Sequence, residues 1–318
     1  VVEGWRVGLV DRVSGRTLEA TATLLVNAAG PHVPVVGNLL GAMTDHHLVF
    51  SKGVHLVVPR ITDSGRILAF FDDDERLFYV LPMGNRSVVG TTDTPVEDPT
   101  VSVTDEDRVF LLDQINARLN RADPLSGEDV IADRCGVRAL VVEPGDSTDG
   151  RDWTELSREH AVEVNATLGV VSILGGKLSD CLNVGEEVVE AAMACGLTPG
   201  QARGRWYGEP GPTARRRFDA RAGRLALPPT VAADLWRRQG MRAFPVLDLV
   251  DDDRSLGEPM GDLVPVTEAE VRVMAEHEWI VESDDFLRRR TMIAQVERSG
   301  DLTADPAVDR ALDILGTA

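Results

Sequence analysis

Apolar and polar positions alternate from Trp5 to Val10, Ser14 and Gly15 supply a turn, and Thr17 to Val26 returns with β-branched residues at alternate places. That pattern predicts a hairpin. Its second strand runs into Asn27-Ala28-Ala29-Gly30-Pro31, small residues that let backbone come close to something bulky. Short apolar runs then recur at His55 to Val58, Ile67 to Phe71, Leu77 to Leu81 and Ser87 to Gly90. Turn-rich segments such as Asp72-Asp73-Asp74 and Met83-Gly84-Asn85 part them, so this stretch reads as an antiparallel meander with His55 at the start of a strand.

The period changes at Thr104, which caps a helix with Asp107 at the third position and Leu111, Leu112, Ile115 and Leu119 on one face. A strand over Leu168 to Leu174 leads at once into Gly175-Gly176 and a helix from about Leu178 to Ala194, ending at Gly196. Strand, glycine turn and helix in that order present backbone N–H groups to a ligand. Beyond about Gly204 the pattern is helical, entered through a linker at Tyr207 to Pro212. Its helix starts are Thr267 with Glu270 as a capping box, Ser283 with Asp284 and Asp285 behind it, and Thr303 with Pro306.

Composition narrows the function classes. A net charge of −19 opposes general binding to a phosphate backbone, so nucleic acid is not an expected partner. The basic runs Arg215 to Arg217 and Arg288 to Arg290 read first as solvated helix faces. Three scattered cysteines, Cys135, Cys181 and Cys195, make neither a disulfide framework nor a metal cage, which fits a reducing compartment. No apolar run reaches the roughly 20 residues that span a bilayer, and Val1 to Gly4 begin a strand pattern rather than a signal peptide, so a cytoplasmic protein is expected.

Four basic residues stand beside structural breaks: His55, Arg138 after Cys135-Gly136-Val137, Arg158 after Ser157, and Lys177 after Gly175-Gly176. Cations near glycine turns suit an anionic substrate. Each also has a plain reading, a satisfied core histidine or a surface ion pair. Lys177 fits that reading least, because a cation at a helix start opposes the macrodipole.

The segments Lys52-Gly53-Val54-His55-Leu56-Val57-Val58-Pro59-Arg60, Gly90-Thr91-Thr92-Asp93, Gly136-Val137-Arg138, Ser157-Arg158-Glu159-His160 and Gly175-Gly176-Lys177-Leu178 occur in the order found in flavin-dependent glycerol-3-phosphate dehydrogenases, which the chain resembles. His277-Glu278-Trp279-Ile280, Asp284-Asp285 and Arg288-Arg289-Arg290-Thr291 are similar to the helical domain of those enzymes. The resemblance implies FAD as cofactor, oxidation of sn-glycerol 3-phosphate to dihydroxyacetone phosphate, and a quinone or other acceptor met peripherally at the inner face of the membrane, with a homodimer as a further expectation. It implies Arg158 on the substrate phosphate, His55, Arg138 and Lys177 as catalytic residues, and Ala29, Gly30, Gly176, Lys177, Leu178 and Ser179 against the cofactor. Two rivals are an amino-acid or 2-hydroxy-acid flavin oxidase on the same fold, and a non-catalytic binding module.

The expected fold is α+β, a partial FAD-binding domain related to the flavin amine oxidases with an antiparallel substrate sheet and a C-terminal all-α domain. Residues 1–45 and 165–203 are expected on the cofactor side, 46–164 in the substrate sheet and 204–318 in the helical domain. Two departures stand out. Gly-Gly-Lys-Leu continues here as Ser179-Asp180-Cys181-Leu182 instead of Thr-Thr-Tyr-Arg, and no G-x-G-x-x-G fingerprint follows any strand. The expectation is therefore a part of a longer protein, inactive alone.

Overall fold

The computed structural model describes residues 4–71, 76–145, 159–198, 200 and 210–317. Contacts divide the chain into two units, Val1–Gln201 and Ala202–Ala318.

In the first unit, β1 (Trp5–Val10) and β2 (Thr17–Ala22) form the hairpin. The returning strand is not continuous to Val26: it breaks after Ala22, and β3 (Leu25–Asn27) leaves the hairpin for another sheet. A period-2 pattern shows that both pieces are extended but not which neighbour each one pairs with. Helix α1 (Val33–Leu40) follows, ending at Gly41 in the left-handed conformation.

Strand β4 (His47–Pro59) is the centre of a six-stranded sheet with β5 (Leu68–Phe71), β6 (Leu77–Met83), β7 (Arg86–Gly90), β8 (Thr94–Val96) and β9 (Ala132–Val142). The meander expectation needs correcting here. β5, β6 and β7 do run in sequence, but β4 pairs with β7 and β8 on one side and with β9 along most of its length on the other. His55 accordingly lies deep within β4, not at its start. The turn at 72–74 lies outside the described residues.

Alternation along β4 divides the sheet into two faces. Val54, Leu56 and Val58 join Phe78, Val80 and Val89 in a buried core closed by Leu111, Leu112 and Ile115 of α2 (Asp105–Arg118). Thr104 caps that helix as expected, its hydroxyl accepting from the Asp107 N–H while the Asp107 carboxylate accepts from Thr104 N at 2.9 Å. Asp107 also holds the buried Lys52 ammonium at 2.6 Å, which ties the helix start to β4. The opposite face carries Ser51, Gly53 and His55.

A three-stranded sheet, in the order β10 (His160–Asn165), β11 (Val170–Gly175), β3, completes this unit, with β11 parallel to β3. After β11 a short 3-10 turn, Leu178–Asp180, leads into α3 (Cys181–Ala194). Val33, Val141 and Leu174 pack where the two sheets approach.

The second unit contains α4 (Pro212–Arg224), α5 (Pro229–Gln239), α6 (Ala243–Asp252), α7 (Glu268–His277), a π-helical segment Asp285–Arg290, α8 (Ile293–Val296), α9 (Ser299–Thr303) and α10 (Pro306–Leu315). The first half of the expected linker, up to Glu209, lies outside the described residues. Three helix starts differ from the sequence reading. Thr267 accepts from Glu270 N at 3.1 Å, but the Glu270 side chain does not return to the cap; it is wholly buried and takes both prongs of Arg238 at 2.8 Å. Ser283 makes no cap for the π-helical segment; the Asp285 carboxylate instead reaches back to accept from Val281 N and Glu282 N, ahead of it. Asp305, not Thr303, caps α10 through Ala307 N at 2.7 Å. At α10 the carboxylate, a stronger acceptor than a hydroxyl, takes the cap. Arg288, Arg289 and Arg290 pair with Asp284, Asp285 and Glu278, and Arg215 and Arg217 lie over aromatic rings.

Candidate active site

Arg138 is the most firmly held of the candidate residues. It stands opposite Ser51 on β9 and folds its guanidinium back over Gly53, where an added Cβ would lie 2.6 Å from Nη2 and 2.8 Å from Cζ. Nη1 lies 3.3 Å from both Thr92 O and Asp93 Oδ1, and Nη2 lies 3.1 Å from Thr91 Oγ1. Thr92 is itself pinned to β4, its hydroxyl accepting from Val54 N at 3.0 Å and donating to Lys52 O at 3.2 Å. Ser51 donates to Asp93. The Gly90-Thr91-Thr92-Asp93 run is thus the clamp that aims Arg138. Its members were visible as a motif, but no spacing rule assigns them this task.

His55 shares the face of Ser51 and Gly53. Burial, then the positive charges of Arg134 and Arg138, push its pKa down from 6.5 to about 4, so the imidazole is neutral through the physiological range.

Lys177, Gly176 and Leu178 come from the turn after β11, and Gly30 from the turn after β3. Together with Pro31, Gly175 and Arg138 they line one cavity of about 460 Å³. Gly175 and Gly176 are both left-handed, at φ of 63° and 89°. Close packing also forbids side chains there, because a Cβ on Gly175 would lie 2.4 Å from Val141 Cγ2 and one on Gly176 would lie 2.9 Å from His160 Cβ. Leu178, 91% exposed, stands at the rim.

The remaining candidates lie elsewhere. Ala29 packs against the Val33–Val141–Leu174 cluster, Ser179 is exposed outside the cavity lining, and His55 sits on the adjoining sheet face rather than in the cavity wall. Arg158 lies outside the described residues. The departure at Asp180 is compensated: its carboxylate meets His160 Nδ1 at 3.0 Å and accepts from Asn183 at 2.6 Å.

Residues 1–178 match the family described as FAD dependent oxidoreductase, and residues 204–316 match the C-terminal domain of alpha-glycerophosphate oxidase. The chain belongs to the FAD dependent oxidoreductase family. Among its relatives are the aerobic glycerol-3-phosphate dehydrogenase of Escherichia coli, 28% identical over 90% of this chain and 58% of the relative. Another is glycerol-3-phosphate dehydrogenase 2 of Mycobacterium tuberculosis, 29% identical over 91% of this chain and 49% of the relative. The chain therefore spans about half the length of these curated relatives. The solved glycerol-3-phosphate dehydrogenase of Bacillus halodurans, complexed with FAD, shares the fold with a TM-score of 0.71 at 22% identity, over 98% of this chain and 62% of that one.

The cavity fits the family's cofactor. Its walls are glycine backbone, an apolar rim and two cations, a setting suited to a flat heteroaromatic ring that gains electron density at one edge. Among the described residues no helix is long and apolar enough to cross a membrane.

Proposed function

We propose that the protein to which this chain belongs oxidises sn-glycerol 3-phosphate to dihydroxyacetone phosphate, with FAD as the hydride acceptor when bound. The observation that carries this reading is the convergence of Arg138 and Lys177 on the glycine-lined cavity, beside a histidine kept neutral.

On this reading β3, β10 and β11 form the cofactor side and β4 to β9 the substrate side. Neutral His55 accepts the proton of the C2 hydroxyl at an imidazole nitrogen. Arg138, fixed by Thr91, Thr92 and Asp93, stabilises the negative charge growing on that oxygen without having to reorganise. Lys177 and the turn N–H groups, which line the cavity, would hold the flavin there and stabilise the negative charge it gains. Arg158 takes the phosphate, an assignment resting on the motif resemblance. Quinone as acceptor, peripheral membrane placement and a homodimer are part of the same proposal for the whole protein, and the family resemblance supports them.

The test is anaerobic flavin bleaching of the full-length protein by glycerol 3-phosphate and by glycerol. Glycerol 3-phosphate should bleach at far lower concentration, and Arg138→Ala should lower kcat/KM at least ~100-fold. Equal bleaching by the two alcohols would remove the phosphate-specific reading. In the unmodified enzyme kcat at saturating substrate, which is set apart from the ~6 ionisation of the phosphate ester, should hold down to acid pH and fall as pH drops through about 4, where His55 gains its proton.

A further inference from the structure

The sheet face opposite α2 carries a row that runs straight across four strands. Tyr79 on β6 is in register with Gly90 on β7, Gly90 with His55 on β4, and His55 with Arg134 on β9. Residues in register share a face, and neighbouring strands are ~4.8 Å apart, so phenol, imidazole and guanidinium emerge side by side. Gly90 leaves the gap that His55 fills: a Cβ there would lie 2.7 Å from the His55 Cδ2. Two places along β9, Gly136 stands opposite Gly53, and two further on Arg138 stands opposite Ser51. At the Gly53–Gly136 pair the two strands contribute no side chain of their own, and the Arg138 guanidinium folds over Gly53 toward His55.

The arginines differ in how they are held. Arg138 is clamped by Thr91, Thr92 and Asp93. Arg134 is exposed, and among the described residues it has no carboxylate partner. Its neighbour Asp133 points to the other face and is taken by Arg108 at 2.8 Å. In a chain of net charge −19, an open guanidinium beside a neutral imidazole is a place prepared for an anion.

We propose that Arg134 is a ligand for the phosphate group of the substrate, a specificity residue additional to Arg158. This rests on the reading of the site as one that oxidises a phosphorylated alcohol. A phosphate monoester is a dianion with three acceptor oxygens, more than one guanidinium fork satisfies, so a second arginine is suited to it. Standing directly beside His55, Arg134 holds that end of a three-carbon alcohol within reach of the group that takes the hydroxyl proton. The groups facing His55 are Tyr79 from β6, and Arg134 and Arg138 from β9 with Asp93 behind the latter; β7 contributes Gly90 only. Burial first, then Arg134, holds the imidazole in its neutral form.

The test uses the full-length protein with Arg134→Gln and Arg134→Lys. Binding of inorganic phosphate is read by calorimetry, glycerol 3-phosphate turnover by flavin reduction, and the His55 titration by NMR. Arg134→Gln should weaken inorganic phosphate and raise the KM for glycerol 3-phosphate roughly tenfold, with kcat changed much less, and Arg134→Lys should restore part of both. The His55 titration should move upward from about 4 in Arg134→Gln. Unchanged phosphate affinity and KM in Arg134→Gln overturn the assignment. If Arg138→Ala still cripples turnover in that case, the proposed reaction stands and only Arg134 loses its role; if Arg138→Ala is equally silent, the reading of the site falls with it.

Discussion

Gly53 does more than a count of glycines conveys, because the Arg138 guanidinium rests on its bare α-carbon. Adding one methyl group at 2.6–2.8 Å from three guanidinium atoms forces the side chain off its Thr91–Asp93 clamp. Gly53→Ala should therefore cut turnover by an order of magnitude or more, while changing the unfolding midpoint little because the displaced group is a flexible side-chain end. Steady-state kinetics beside a thermal melt separates the two effects. A melt that collapses along with activity would show that Gly53 serves the sheet instead. At this scale the sequence showed which residue types stood beside breaks, and in the structure Arg138, Lys177 and Gly176 line one cavity. The sequence could not show that Arg134 also faces His55, since nothing in Asp133-Arg134-Cys135 distinguishes a free cation from a paired one.

Elements were legible where local physics decides and illegible where a distant partner does. Helix α2 could be read because Thr104, Asp107 and the apolar stripe all lie within the element. The Glu270 reading was half right, since its backbone obeys the cap while its carboxylate crosses to Arg238 on α5. That pair permits a sharp expectation. Glu270→Ala leaves a mostly buried guanidinium without its counter-charge, and should cost ~3–5 kcal/mol in urea unfolding followed by a probe in the helical unit. Replacing both partners by apolar residues, Arg238→Met with Glu270→Leu, should recover most of that loss. If the double variant is as unstable as the single one, packing around Glu270 rather than its charge is what matters.

Across the first unit, assembly depends on a contact that sequence reading did not anticipate. His46, at the entry to β4, places Nδ1 2.7 Å from Glu163 on β10 and Nε2 3.1 Å from Glu143 just beyond β9, while Glu163 also accepts from the Asp45 and His46 N–H groups. The hydrogen bond that His46 donates to the Glu163 carboxylate is the main reason the His46 pKa is raised above 6.5; partial burial opposes it and Glu143 adds to it. A histidine raised on folding stabilises fully below its unfolded pKa, and the contribution is lost as pH climbs through the folded value. Thermal stability should therefore fall as pH rises above about 6.5, and His46→Gln should flatten that slope. A slope unaltered by the substitution would assign it to other groups. Sheet order was likewise hidden, since alternation reveals a strand's two faces but not which strand lies beside it. The two faces of β4 have one last consequence. Core and chemistry are written on alternate letters of the same strand, so a slip of β4 by one residue against β9 would drive His55 into the helix-facing interior and put a core residue such as Val54 or Leu56 beside Arg134 and Arg138. The hydrophobic core thereby proofreads the candidate site: a chain that misaligns that face fails to fold, rather than folding with the site scrambled.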